Sequence, residues 1–360
     1  MKKALWITCG PRNNAGDALL YEVTKRLFEP LIALDFRYVN EPGYIRPDGD
    51  DTENVIIGPG GMLVQTNSSR HLHSKIDKQW AQFSQKSFHL WSTGILEAPS
   101  EEERAQVRRI TDRAVQTVVR ATKESEFLRD AVGVDSQWAP CASLFTDRLL
   151  GIENTARDVV VVNFDEFLFT EENINSHPLQ RFADYARSEG LEVRSMVNAA
   201  GDSNRMMLDM FPVIDIDRPH LEDFLRGDPT GREFNVGFNA ALAKYPSFGR
   251  RYTGFRFAFG KRLHGWLPFL SFDKPAAFIG MQARRGMPMD YFGSNEFLCA
   301  VPRKRGMSTE QLDEMANAMI GKLNYFIKNE DVLARKIAAR REELWSQLTQ
   351  QARDFATNLK

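Results

Sequence analysis

The segment Asp158–Asn163 reads Asp-Val-Val-Val-Val-Asn, and few folds accept it. Four consecutive valines leave no polar face for a half-exposed strand. Their β-branched side chains disfavour a helix, and the run is far too short to cross a membrane. What remains is a strand buried on both faces, which calls for a parallel sheet with helices on either side. The rest of the chain follows suit. Short apolar runs at 4–9, 34–39, 54–57, 88–91 and 117–119 alternate with helical patterns at 17–28, 101–114 and 124–132. A second set of strand-like runs follows at 158–163, 191–197, 213–216, 255–259 and 276–279.

A quiet stretch at 151–157 separates the two sets. The expected organisation is therefore an N-terminal Rossmann-like domain over 1–152 and a C-terminal one over 153–307. Helices over 308–360 are expected to pack across the lobes. Ser308-Thr309-Glu310-Gln311 fits a capping box, and the helical pattern then runs through Ile327. A second helix from about Asp331 carries Leu333, Ile337, Leu344, Trp345, Leu348, Ala352 and Phe355 close to the helical repeat. Two Rossmann-like halves and a helical C-terminus suggest a bilobal α/β enzyme with its site in the cleft.

Composition limits the partners. Lysine and arginine total 47 against 48 aspartate and glutamate, so no global field favours nucleic acid, and an electropositive site must be local. Cys9, Cys141 and Cys299 form no CxxC pair, which supports neither a disulfide framework nor a zinc site. The apolar run behind Met1-Lys2-Lys3 is shorter than a signal core, and no stretch reaches membrane-spanning length. The expectation is a cytoplasmic protein without a resident metal. The sequence specifies no oligomeric state.

One local field stands out. From Phe234 to Phe272 there is no acidic residue, although a stretch of that length would ordinarily carry about five at this composition. It holds Lys244, Arg250, Arg251, Arg256, Lys261 and Arg262. Within it the strand pattern 255–259 ends at Gly260, and Arg262–Leu270 looks like the opening of a helix. Arg262 and His264 thus fall at the carboxyl end of a strand, where open α/β sheets place ligands and helix amides favour anions. A guanidinium matches a carboxylate or phosphate, and a histidine two residues on exchanges a proton near neutral pH.

Arg262-Leu263-His264-Gly265, followed by Asp273-Lys274-Pro275 and the apolar run 276–279, resembles the C-terminal signature of the polysaccharide pyruvyltransferase family. Asn14-Ala15-Gly16-Asp17, the turn Ile57-Gly58-Pro59-Gly60-Gly61, and Arg120 with Ser125 resemble its N-terminal segments in matching order. The resemblance implies a GT-B-like fold and transfer of the enolpyruvyl group of phosphoenolpyruvate to a sugar as a cyclic ketal. It implies no cofactor beyond that co-substrate, and a glycan or lipid-linked oligosaccharide as acceptor. Arg262 would bind one anionic group of the donor and Arg120 the other. His264 would protonate the enol methylene or take the proton of the attacking hydroxyl. Arg256 would assist or form a salt bridge at the sheet edge. Gly60 and Gly61, with Gly58, would cradle the donor or acceptor through backbone amides, or simply make a tight turn. Asn14, Asp17 and His71 fall to the acceptor side, Asp17 equally as a helix cap. His71 and His73 have no nearby cysteine or acid to complete a metal site.

Trp80, Trp91 and Trp266 stack on sugars or fill the core. The charged helix from Asp331 is a solvated face or a peripheral contact with the inner membrane surface. Two alternatives stand beside pyruvyl transfer. One is a two-domain glycosyltransferase using a nucleotide-sugar, against which stands the lack of an acidic residue in 260–270 placed for a ribose. The other is a non-catalytic glycan- or anion-binding relative.

Overall fold

The computed structural model describes residues 1–8, 15–38, 52–64, 85–95, 100–163, 178–196, 248–280, 287–300 and 308–360. They form two compact units, each built on a parallel sheet. The first comprises 1–10, 20–142 and 342–360; the second comprises 11–19 and 143–341.

In the first unit the strands are β1 (Lys2–Thr8), β2 (Ile32–Tyr38), β3 (Asn54–Ile57), β4 (Gly60–Val64), β5 (Ser87–Ile95), β6 (Ala114–Val119) and β7 (Gln137–Trp138). The helices are α1 (Ala15–Phe28), of which residues 15–19 are grouped with the second unit, α2 (Glu101–Thr111) and α3 (Thr122–Phe127), the last running into a π turn at Leu128–Val132. The sheet order is β2-β1-β3-β5-β6-β7, with β4 beside β5 and every pairing parallel. Alternation along the strands sends side chains to two covered faces. Leu5, Ile7, Val55, Ile57, Phe88 and Leu90 pack under α2 residues Val107 and Ile110. Trp6, Phe28, Trp91 and Phe355 interlock edge to face on an aromatic side, with centroids 4.8–6.0 Å apart. Burial of each such side chain contributes roughly 1.5–3 kcal/mol.

In the second unit the strands are β8 (Val159–Asn163), β9 (Glu192–Ser195), β10 (Phe257–Gly260), β11 (Ala276–Gly280) and β12 (Leu298–Ala300). Their order is β12-β11-β10-β8-β9, again all parallel. The helices are α4 (Thr146–Leu150), α5 (Pro178–Ser188), α6 (Leu267–Leu270) and α7 (Met287–Phe292). The valine run is β8, an interior strand between β10 and β9, buried along its whole length as its composition demands. Phe257 and Phe259 lie against Phe326, and Phe182 of α5 meets Phe259.

The chain ends in α8 (Thr309–Thr357), capped by reciprocal bonds between Ser308 and Gln311. The break between its two halves survives as one non-helical residue, Asn329 (φ −124°, ψ 17°). The architecture is α/β throughout, two Rossmann-like sheets with a helical C-terminus. Strands β4, β7 and β12 escape the sequence pattern because each is short or glycine-led. The strand read at 213–216 lies outside the described residues. No described helix is long and apolar enough to cross a membrane.

Candidate functional site

At the carboxyl end of β10 the chain makes a turn whose shape is dictated by its first residue. A Cβ on Gly260 would sit 1.9 Å from the carbonyl oxygen of Gly265 and 2.8 Å from the Trp266 nitrogen. Only glycine lets the 3₁₀ turn Leu263–Gly265 fold back over the strand end. Trp266 then anchors the far side, its indole N–H donating to the Ala276 carbonyl at 2.8 Å. The turn is also held from β8. Lys261 N donates to the Asn163 carbonyl at 2.9 Å, and Arg262 N to Asn163 Oδ1 at 3.4 Å. Arg262 itself has extended backbone (φ −82°, ψ 147°) and its side chain is partly exposed.

His264 follows, 9% exposed, with the amino end of α1 laid against its ring. A Cβ on Gly16 would come within 2.7 Å of both Cβ and Nδ1 of His264. Residues 15–19 and 263–265 belong to the same unit, so this apposition is internal to it. It brings an imidazole and the electropositive end of a fourteen-residue helix together at one edge of one sheet, two residues along the chain from Arg262.

The first unit has a comparable edge with a different outcome. A Cβ on Gly58 (φ 131°) would lie 1.9 Å from the Trp91 carbonyl oxygen, and Trp6 Nε1 donates to the Gly58 carbonyl at 2.5 Å. Gly60 and Gly61 open strand β4, so they are ladder residues as well as turn residues. Ser92 of β5 is buried at φ 51°, a left-handed conformation that costs a non-glycine residue on the order of 1 kcal/mol. Arg120 ends β6 and is 2% exposed. Its guanidinium lies over Gly94, where a Cβ would meet Nε at 2.4 Å, and its Nε stands 3.8 Å from Glu124 Oε1. The Glu124 carboxylate also accepts from Ile95 N at 2.9 Å and Arg120 N at 3.2 Å.

These placements bear on two of the expected roles. Arg120 is packed inside the first unit as half of a buried ion pair. Of the two roles read for Arg256, the salt bridge is the one seen: it precedes β10 and lies at the opposite end of that strand from Arg262. There it bonds Glu330 (Nε to Oε2, 2.8 Å) and Asp158 (Nη1 to Oδ1, 3.1 Å) and stacks on Phe257, 5.3 Å from the ring centroid. Lys274 joins the same Glu330 at 3.2 Å. Part of the acid-free field is thus neutralised by acids distant in sequence.

Asp17 occupies the first turn of α1, half-buried. Trp91 and Trp266 are core residues, 1% and 0% exposed, which settles their role as packing. Cys141 is buried, and desolvation pushes the Cys299 thiol up to about 12, so Cys299 offers no thiolate. Asn14, His71, His73, Trp80 and Cys9 lie outside the described residues. Among the described residues no three His, Cys, Asp or Glu side chains gather as metal ligands.

Sequence reading passed over Asn163 and Gly94. The signal for Asn163 is a polar residue closing an otherwise apolar strand; Gly94 carries no signal until Arg120 is folded against it.

No family model matches the sequence, and no curated protein matches it. Solved structures do share its fold. The UDP-GlcNAc 2-epimerase from Neisseria meningitidis bound to UDP-GlcNAc aligns at a TM-score of 0.50 and 8% identity, covering 94% of this chain and 94% of that one. The Methanocaldococcus jannaschii UDP-GlcNAc 2-epimerase aligns at 0.44 and 9%, covering 89% and 93%. An α-glucosyltransferase in complex with UDP aligns at 0.46 and 8%, covering 99% and 100%. The likeness is one of fold, and it agrees with the GT-B-like class read from the sequence. It overturns the pyruvyl-transfer expectation: the neighbours are UDP-sugar enzymes rather than pyruvyltransferases.

Proposed function

We propose that this chain is a nucleotide-sugar-using enzyme, and that it transfers the sugar of a nucleoside diphosphate sugar to an acceptor hydroxyl. The observation that carries the reading is the carboxyl edge of the second sheet, where His264 meets the amino end of α1 two residues along the turn from Arg262. A diphosphate leaving group carries negative charge that must be balanced as the glycosidic bond breaks. A guanidinium and helix-terminal amides supply that balance without a metal. A nearly buried imidazole is suited to take the acceptor hydroxyl's proton. The step then balances: the acceptor oxygen bonds to the anomeric carbon, the carbon–oxygen bond to the diphosphate breaks, and the nucleoside diphosphate departs with the electron pair.

The test is titration calorimetry with UDP, followed by UDP-release assays with UDP-GlcNAc or UDP-glucose and a panel of sugar acceptors. Saturable UDP binding is expected, weakened about tenfold by Arg262→Ala. His264→Ala should retain UDP binding and lose on the order of 10²–10⁴ in turnover. Failure to bind any nucleotide or nucleotide sugar at millimolar concentration, or turnover that requires phosphoenolpyruvate, would overturn the reading. An epimerised sugar nucleotide recovered without acceptor would keep the substrate and change the reaction.

A further inference from the structure

Resting on that reading, we infer that Asn163 is a positioning residue for the nucleotide sugar, acting through the backbone of Arg262. Four valines precede it in β8, and by pattern its position belongs to a fifth apolar side chain. Instead an amide sits there with no exposed surface. A buried amide is costly unless both of its ends are bonded. Both are. Asn163 Nδ2 donates to the Met196 carbonyl at 2.9 Å, just beyond β9, while Oδ1 accepts from Arg262 N at 3.4 Å.

The register explains what this achieves. Asn163 is paired with Gly260, and its own carbonyl takes Lys261 N at 2.9 Å, the last rung of the main-chain ladder between β8 and β10. The next amide along the turn is that of Arg262. It has left the ladder, so no main-chain acceptor on β8 follows it. The side-chain oxygen of Asn163 supplies one extra rung, fixed in orientation because the other end of the amide is tied to Met196. Arg262 is the residue from which the 3₁₀ turn bearing His264 departs. A bond of 3.4 Å is long, so small shifts break it. Replacing the amide by an apolar side chain would keep the core and release Arg262.

A merely structural asparagine would make the same contacts, so the test must separate the two roles. Asn163→Ala should raise the KM for the UDP-sugar about tenfold with kcat changed less than threefold. In an Arg262→Ala background the same substitution should add little, because the group it positions is already gone. If the two losses multiply to about a hundredfold, Asn163 does not act through Arg262 and the inference fails. Amide hydrogen exchange provides a readout independent of any ligand. The Arg262 amide should lose protection in Asn163→Ala, and in Asn163→Leu should Asn163→Ala fold poorly, while Ala258 and Phe259 keep theirs. Unchanged protection at Arg262 overturns the proposal. If the wild-type chain binds no nucleotide, the functional reading fails by itself, and the exchange result still decides whether Asn163 holds the turn.

Discussion

The two glycine turns, Ile57–Gly60 in the first unit and Gly260–Gly265 in the second, are built on the same constraint and serve different ends. In each, a glycine follows a buried parallel strand, and a Cβ would lie 1.9 Å from a carbonyl oxygen of the chain folding over it. In the first unit the chain re-enters the sheet as β4, and the nearby cation, Arg120, is sealed against Gly94 and Glu124. In the second it turns outward, and Arg262 keeps part of its surface while a neutral amide steadies its backbone. A charge inside a closed edge is committed to the fold, since exposing or unpairing it is costly. A charge at an open edge keeps contact with solvent. Position at a strand end therefore does not by itself make a residue functional.

The strongest way to break the comparison is Gly260→Ala. The clash is with main chain, which cannot rotate away, so a loss of at least about 3 kcal/mol and of UDP binding is expected by thermal melting and titration. An intact melting curve would show that the turn is not locked. Next is the contrast between arginines. Arg120→Met leaves the Glu124 carboxylate buried beside no cation and should cost about 3 kcal/mol without altering UDP affinity in the folded fraction. Arg262→Met should do the reverse, shifting stability by less than about 0.5 kcal/mol while weakening UDP binding. If Arg120→Met weakens binding as much as Arg262→Met does, the closed edge is not closed.

A smaller effect concerns pH and also separates the units, because both strongly shifted groups that titrate near neutrality lie in the first. Desolvation, aided by Lys360, lowers His89 from 6.5 to about 4; its ring bonds Ser87 Oγ at 3.0 Å and Gln116 Nε2 at 3.1 Å. The unfolded chain therefore binds the extra proton between pH 6.5 and 4, so stability falls as pH drops through that window, by about 2 kcal/mol at pH 5. Desolvation raises Glu22 from 4.5 to about 7, only partly offset by Arg26. Here the folded state holds the proton, so stability falls as pH rises from 4.5 to 7. Glu22→Gln should raise the melting temperature at pH 8 and leave it unchanged at pH 4; His89→Gln should raise it at pH 5 and leave it unchanged at pH 8. The two slopes oppose each other and overlap, so the wild-type profile is nearly flat and the single variants carry the test: a variant whose profile matches the wild type contradicts the corresponding shift. The smallest effect is expected for Arg256→Gln, which removes part-exposed ion pairs and should change UDP affinity less than twofold. A larger loss would return Arg256 to the site.

Much of the fold was legible because burial on both faces writes itself into composition. The valine run at β8, the apolar run at β1 and the exact span of β3 could be read directly. So could the α8 cap and the interruption near Asn329. The site was legible only in part. Gly260, Arg262 and His264 are contiguous, so their local geometry follows from a strand meeting a glycine. Their companions are not contiguous. Glu330 is 74 residues from Arg256 and removes that arginine from consideration, while Asn163 is 99 residues from Arg262 and supports it.

By itself, then, the sequence determined which segments must be buried and where the chain must turn, because solvation and steric exclusion act on each residue locally. It determined that Gly260 to His264 would form a cationic turn at a strand end. Only the tertiary structure decided which cations stay open. For Arg256 that outcome depends on an acid from elsewhere in the chain, Glu330, arriving beside its guanidinium, while for Arg262 the distant residue Asn163 holds the backbone from which the turn departs. The field at a point sums over groups brought together by folding, and sequence distance carries no record of that sum.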